Sequence, residues 1–365
     1  MIKAALQISG WTLARLPEPA VAALTWALAR GIYWGFPRRR RLLLSNLHHA
    51  FPDRSAAWRG GIARECIRRF TETALLSLAT PFLAPARLKA MIRPAPSLLA
   101  AVAAHRAQPH PVLMCSPHFA HWEIQTIQPL LVEGPFPPSA AIFRPLDHPV
   151  ADAWIKRTRE RFGMRLLSRK EGFQEAMKML RRHEAVGILF DQNAGPQGAL
   201  TLLFDRVCST TDLPGLLAAK YRATVYGLYP RYLGFWRVEL NWLPVEHDGT
   251  AAGVTAALNL WLERLVRGDE NACASWLWGH QRWKNQDVPA RRLRLELKRD
   301  NLAADLHARG RTQLPRRTRV WIRLPNWLGN VVMALPLLRA LRRSRPDAEI
   351  TLLARAPSLR NIQRL

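Results

Sequence analysis

The hydrophobic pattern divides the chain into zones. Residues 4–14 and 20–29 form two apolar runs, broken by Arg15 and by Pro17-Glu18-Pro19. Each run holds about ten residues, whereas ~20 are needed to span hydrocarbon. Arg38-Arg39-Arg40-Arg41 follows, a cluster suited to anionic headgroups. The pattern predicts an interfacial or re-entrant helical hairpin with a basic collar over 1–45. A cleaved signal peptide and a buried core helix pair are the competing readings. Against the first, no small-x-small cleavage site follows.

From about 110 to 245, short apolar runs alternate with longer amphipathic ones. Val112–Cys115, Ala140–Phe143, Val186–Phe190 and Thr224–Tyr229 read as buried strands. Helices are expected near 122–132, 149–162, 171–182 and 212–221. This is the pattern of an α/β fold with a largely parallel central sheet flanked by helices. Active sites in such sheets gather beyond the carboxyl ends of the strands. The loops beginning near Ser116, Arg144 and Asp191 are therefore the ones that matter. Residues 291–319 are arginine-rich and read as a basic linker with some helix. Beyond it, Val320–Leu324, a loop through Asn330, a helix to about Arg342 and a strand at Ile350–Leu353 form one β-loop-α-β unit. No internal repeat is present.

Charge changes the picture most. The chain of 365 residues carries 54 Lys+Arg against 27 Asp+Glu, a net +27. Such a field attracts nucleic acid, anionic lipid or an acidic protein. No aromatic-basic nucleic-acid motif is present, so nucleic acid ranks last. The chain has 14 Trp and 5 Tyr, and Trp favours membrane interfaces; Trp11, Trp26 and Trp34 lie in the apolar zone. Four widely spaced cysteines form no C-x-x-C pair, which leaves zinc-ribbon and redox motifs without support. No metal ligand set and no cofactor is expected.

The candidate chemistry centres on Ser116-Pro117-His118-Phe119-Ala120-His121-Trp122-Glu123. An alcohol attacks a thioester better as its proton leaves, so transfer to a hydroxyl needs a base. A histidine at the end of a buried strand can serve if a carboxylate fixes its other nitrogen. His118 and Glu123, five apart, would diverge on one regular helix but can meet on a strand-to-helix turn. A core or surface histidine is the bland alternative, and His121 can be satisfied locally. Arg144 could bind a phosphate or a developing oxyanion. Asp191 and Gln192 could position sugar hydroxyls or Arg144. Arg169 and Lys170 could contact phosphate or a carrier protein, or form a solvated turn. Trp278, His280, Arg282 and Lys284 could line the site mouth or serve as packing and a basic rim.

The stretch resembles the H-x4-D/E motif of lysophospholipid-type acyltransferases, and most closely the lipid A biosynthesis lauroyl/myristoyl acyltransferase family. Arg38–Arg41, Asn46-Leu47 and Ala50-Phe51-Pro52 resemble its N-terminal block. Ile142-Phe143-Arg144-Pro145, Ser168-Arg169-Lys170-Glu171 and Phe190-Asp191-Gln192 resemble its middle blocks. Trp276-Leu277-Trp278-Gly279-His280-Gln281-Arg282-Trp283-Lys284 resembles its W-x-W-x-H-x-R-W/F-K signature. The resemblance implies a glycerolipid-acyltransferase-like fold over 46–290 and His118 with Glu123 as catalytic pair. It implies acyl carrier protein as donor, a lipid A precursor as acceptor, and the cytoplasmic face of the inner membrane as location. Another glycolipid or a lysophospholipid is the alternative acceptor. After Phe204 the chain has Asp205-Arg206 where the family often has Phe-Gly, which bears on acceptor details.

Residues 320–365 are similar to the start of the ADP-heptose:lipopolysaccharide heptosyltransferase family, through Arg323-Leu324-Pro325-Asn326-Trp327-Leu328-Gly329-Asn330 and Arg345-Pro346-Asp347-Ala348. Its expected basic aspartate is Asn330 here. The stretch reads as an incomplete Rossmann-like unit, from a shortened fusion or from a longer chain. A heptosyltransferase remnant with an accessory membrane domain is thus a further reading of the whole.

Overall fold

A computed structural model describes residues 2–169, 172–284 and 293–354. The described chain divides into two compact units, residues 1–192 with 211–281, and residues 193–210 with 282 onward.

The first unit opens with four helices: α1 (Ile2–Arg15), α2 (Glu18–Gly35), α3 (Pro37–Ala50) and α4 (Ala56–Ala79). The two predicted apolar runs are α1 and α2, and prolines at 17, 19 and 37 sit at helix starts, where a missing N–H costs nothing. Both pack against α4. Val21, Thr25, Ala29 and Tyr33 of α2, spaced at i+4, are buried. The other face carries Trp26, Trp34 and Phe36, each more than half exposed. Among the described residues, no helix is long and apolar enough to cross a membrane.

Behind the helices lies a seven-stranded sheet in the order β1-β9-β8-β2-β5-β3-β4. The strands are β1 (Ile92–Pro94), β2 (Val112–Ser116), β3 (Ser139–Phe143), β4 (Arg165–Ser168), β5 (Ala185–Leu189), β8 (Thr224–Gly234) and β9 (Arg237–Pro244). All neighbours are parallel except β8 and β9, which form an antiparallel hairpin. The four predicted strands are β2, β3, β5 and β8. The short β1 and β4, and the alternating β9, lay below the sequence signal. All five residues of β2 are buried, as a strand covered on both faces requires. Helices Pro149–Arg159, Phe173–Arg181 and Leu213–Tyr221 stand where helices were expected. The stretch 122–132 instead opens as a 3-10 turn, Trp122–Ile127, before one turn of α-helix.

The second unit contains the hairpin β6 (Ala199–Leu203) and β7 (Arg206–Thr210). The arginine-rich stretch read as linker supplies β10 (Arg299–Asp300), which pairs parallel with β6, and the helix Leu302–Ala308. Leu302 joins Leu200, Leu202 and Val207 in a small core. Buried Asp305 accepts the Leu202 amide at 2.7 Å. Farther on, β11 (Thr318–Arg323), the helix Leu328–Ser344 and β12 (Ala348–Leu353) form the expected unit with parallel strands.

Candidate active site

The register of the sheet builds the site. Ser116 of β2 lies opposite Leu189 of β5. His118 and Asp191 each follow two residues later, so both project beyond the carboxyl ends of adjacent parallel strands. The Asp191 carboxylate takes hold of His118 twice. Oδ2 accepts the His118 backbone amide at 2.9 Å, and Oδ1 lies 2.6 Å from Nδ1 of the ring. The Trp276 indole donates to Oδ2 at 2.7 Å.

Asp191 is fully buried. Burial alone would raise its carboxyl, but the His118 imidazole, the hydrogen bonds from His118 and the Trp276 indole outweigh that and leave it below the usual range. An anionic Asp191 accepts a hydrogen bond from Nδ1–H and so fixes the proton there, which leaves Nε2 as the basic nitrogen. The Gln192 amide nitrogen lies 3.2 Å from Nε2. The side chain of His118 is 14% exposed, so a ring gripped at Nδ1 still reaches solvent.

The loop carrying His118 is zipped to the chain at 275–277. Ala120 N donates to Ser275 O and Leu277 N to His118 O, around a bridge between Phe119 and Trp276. Asn46 fixes the same segment from below, donating to Trp278 O and His280 O at 2.8 Å each. The N-terminal Asn-Leu block and the tryptophan-rich signature thus form one support beneath the histidine.

Glu123 is placed differently from the sequence expectation. Its carboxylate meets Arg159 at 3.1 Å, while the ring nitrogens of His118 meet Asp191 and Gln192. The physical reason is local. His121 adopts a left-handed conformation (φ 63°), and the chain then enters a 3-10 turn rather than closing back on the imidazole. Arg159 lies 4.9 Å over the Trp122 ring, and Trp122 stands edge-on to His118 at 5.6 Å between centroids. Arg159, which the sequence reading missed, is thus coupled to the site through Glu123 and Trp122. Its only sequence signal is its place in the last turn of a helix.

His121 belongs to the core. It is 1% exposed, its amide donates to Thr73 Oγ1 at 2.8 Å, and Nε2 lies 3.3 Å from Glu72 Oε1, off the line of a hydrogen bond. Glu72, itself fully buried, accepts from Trp236 N, Arg68 and Tyr232.

The other candidates separate. Arg144 ends β3 on an exposed stretch, 3.9 Å from Asp147. Arg169 ends β4 and is exposed, its amide bonded to Phe143 O at 2.9 Å. Both follow strands of the same sheet. Lys170 lies outside the described residues. Arg282 falls in the second unit and is 2% exposed. Its guanidinium donates to Ser209 O at 2.5 Å and Thr210 Oγ1 at 2.6 Å, so both terminal nitrogens hold β7. Among the described residues, no group of three or more His, Cys, Asp or Glu is arranged to hold a metal.

Residues 2–285 match the sequence profile of the bacterial lipid A biosynthesis acyltransferase family. The chain belongs to that family. The profile spans the helical start, the parallel sheet, His118, Asp191 and the tryptophan-rich segment, and it ends before the β11–β12 unit. A search of curated proteins finds no match. As a family member the protein is an acyltransferase of lipid A synthesis.

Proposed function

We propose that the protein moves a fatty acyl chain from an acyl carrier protein thioester to a hydroxyl of a lipid A precursor, with His118 as general base. The observation that carries this is the imidazole at a parallel strand end, partly exposed, held through Nδ1 by a buried carboxylate and met at Nε2 by the Gln192 amide. Nε2 takes the acceptor hydroxyl proton as the oxygen attacks the thioester carbonyl. The carbonyl carbon–sulfur bond then breaks, and the imidazolium returns the proton to the leaving thiolate. Asp191 keeps the ring in the required tautomer and stabilises the imidazolium. Gln192 yields Nε2 to the acceptor hydroxyl. Glu123 acts through its pair with Arg159 rather than on the ring. Arg144 and Arg169, which follow β3 and β4, are the cations we assign to the phosphate.

Charge supports the partners, since both an acidic carrier protein and a phosphorylated glycolipid are anions facing a +27 chain. The exposed tryptophans of α1 and α2 support a peripheral seat on the inner membrane at its cytoplasmic face. Arg15 lies 4.0 Å over Trp11, Arg30 5.4 Å over Trp26 and Arg40 4.8 Å over Trp34, an aromatic-cationic rim suited to the headgroup layer.

The test is transfer of a labelled acyl chain from acyl carrier protein by purified protein to a panel of acceptors. A lipid A precursor should be acylated by the wild type and not by His118→Ala. Acylation of a lysophospholipid in its place would shift the acceptor class, and unchanged transfer by His118→Ala would remove the base assignment.

A further inference from the structure

The second unit carries a pocket of about 480 Å³, within the roughly 300–1,000 Å³ of ligand sites. Its construction follows from periodicity. Leu335, Leu338, Arg339 and Arg342 recur at i, i+3, i+4 and i+7, one face of the helix Leu328–Ser344. Ile350 and Leu352 alternate along β12 and share its helix-facing side. Two strands are narrower than the helix they support, so these apolar side chains stay half-buried and leave an open cleft.

The rim is cationic. Arg345 is neutralised by Asp347, with contacts of 2.8 and 2.7 Å. Asp205 is engaged by Arg309, Arg311 and Arg317. Arg316, Arg339 and Arg342 are exposed and form no ion pair with any described carboxylate. Three exposed guanidiniums over a branched aliphatic floor match a ligand with an anionic head and a hydrocarbon body. Arginine forks suit phosphate oxygens. The four aliphatic side chains would have nothing to bury against an acidic protein surface. We propose that this cleft binds a lipid bearing a phosphate ester, the phosphate on Arg316, Arg339 and Arg342 and the chain on Leu335, Leu338, Ile350 and Leu352. This proposal does not depend on the acyl-transfer reading.

The test is hydrogen–deuterium exchange on the full chain, read by mass spectrometry in peptides covering residues 335–352. The probes are dioctanoyl phosphatidic acid, dioctanoyl phosphatidylcholine and inorganic phosphate. Phosphatidic acid should slow exchange there several-fold; the other two should not. An Arg339→Gln/Arg342→Gln protein should lose that protection with its unliganded exchange unchanged, and Arg339→Gln alone should lose part of it. Equal protection by phosphatidylcholine would reduce the cleft to an apolar groove. Protection by inorganic phosphate alone would reduce it to an ion site. No protection by any probe, or protection unaltered in both variants, would overturn the proposal as well.

Discussion

Asp191 binds His118 at both its backbone amide and its Nδ1, 2.9 and 2.6 Å away, across neighbouring strands. One rigid carboxylate therefore sets both where the histidine sits and which way its ring faces. Asp191→Asn keeps the shape but favours the wrong tautomer. Its kcat should fall by on the order of 10³–10⁴ with little change in KM. Trp276→Phe removes one donor to the same carboxylate, a loss of about 1 kcal/mol or roughly fivefold. Steady-state kinetics on the acyl transfer check both. An Asp191→Asn protein with near wild-type turnover would remove Asp191 from the mechanism.

Glu123 and Arg159 should behave as one unit. Glu123→Gln, Arg159→Gln and the double variant form a cycle whose coupling should be about 0.5–3 kcal/mol in kcat/KM. The double variant should be little worse than the worse single one. Strictly additive losses would show that the two act separately. A Glu123→Gln loss matching that of Asp191→Asn would restore Glu123 to the imidazole.

His121→Ala should lower Tm far more than it lowers turnover, because the ring is buried beside Glu72 and Tyr232 rather than open to substrate. Calorimetry and kinetics on the same preparation separate the two. A large fall in kcat at unchanged Tm would mean that the wrong histidine carries the base.

Replacing Trp11, Trp26 and Trp34 together by serine should leave the fold intact, since all three are at least half exposed. Vesicle co-sedimentation should drop, while transfer to detergent-dispersed acceptor should persist. Undiminished vesicle binding would place the membrane contact elsewhere.

Acid should unfold the protein partly through Glu65. Burial opposes ionisation of this carboxyl, yet its bonds to Arg68 and Arg69 hold it at about 2 against an ordinary 4.5. A depressed folded-state value means stability that is complete above about 4.5 and is lost as pH falls toward 2. Urea unfolding at several pH values should show that slope, and Glu65→Gln should flatten it. An identical slope in the variant would assign the acid sensitivity to other carboxylates.

Much of this molecule is set by its sequence alone. Short apolar runs such as Val112–Cys115 read as buried strands, and the longer stretches between them, read as helices, point to a largely parallel sheet. That reasoning also located the loops after Ser116, Arg144 and Asp191, and the motif blocks pointed to the family. Tertiary structure decided the rest. Which acid reaches His118 depends on sheet register, which brings Asp191 alongside from 73 positions away. Glu123, five residues off, is turned aside by a left-handed His121 that no spacing rule anticipates. Arg282 reads as lining the site mouth, or as packing and basic rim, until the hairpin is seen to bury it against Ser209 and Thr210. Hydrophobic periodicity reports which face of an element is covered, but not which neighbour covers it. Long-range pairing is a property of the assembled sheet, and only there do the roles of charged residues become distinct.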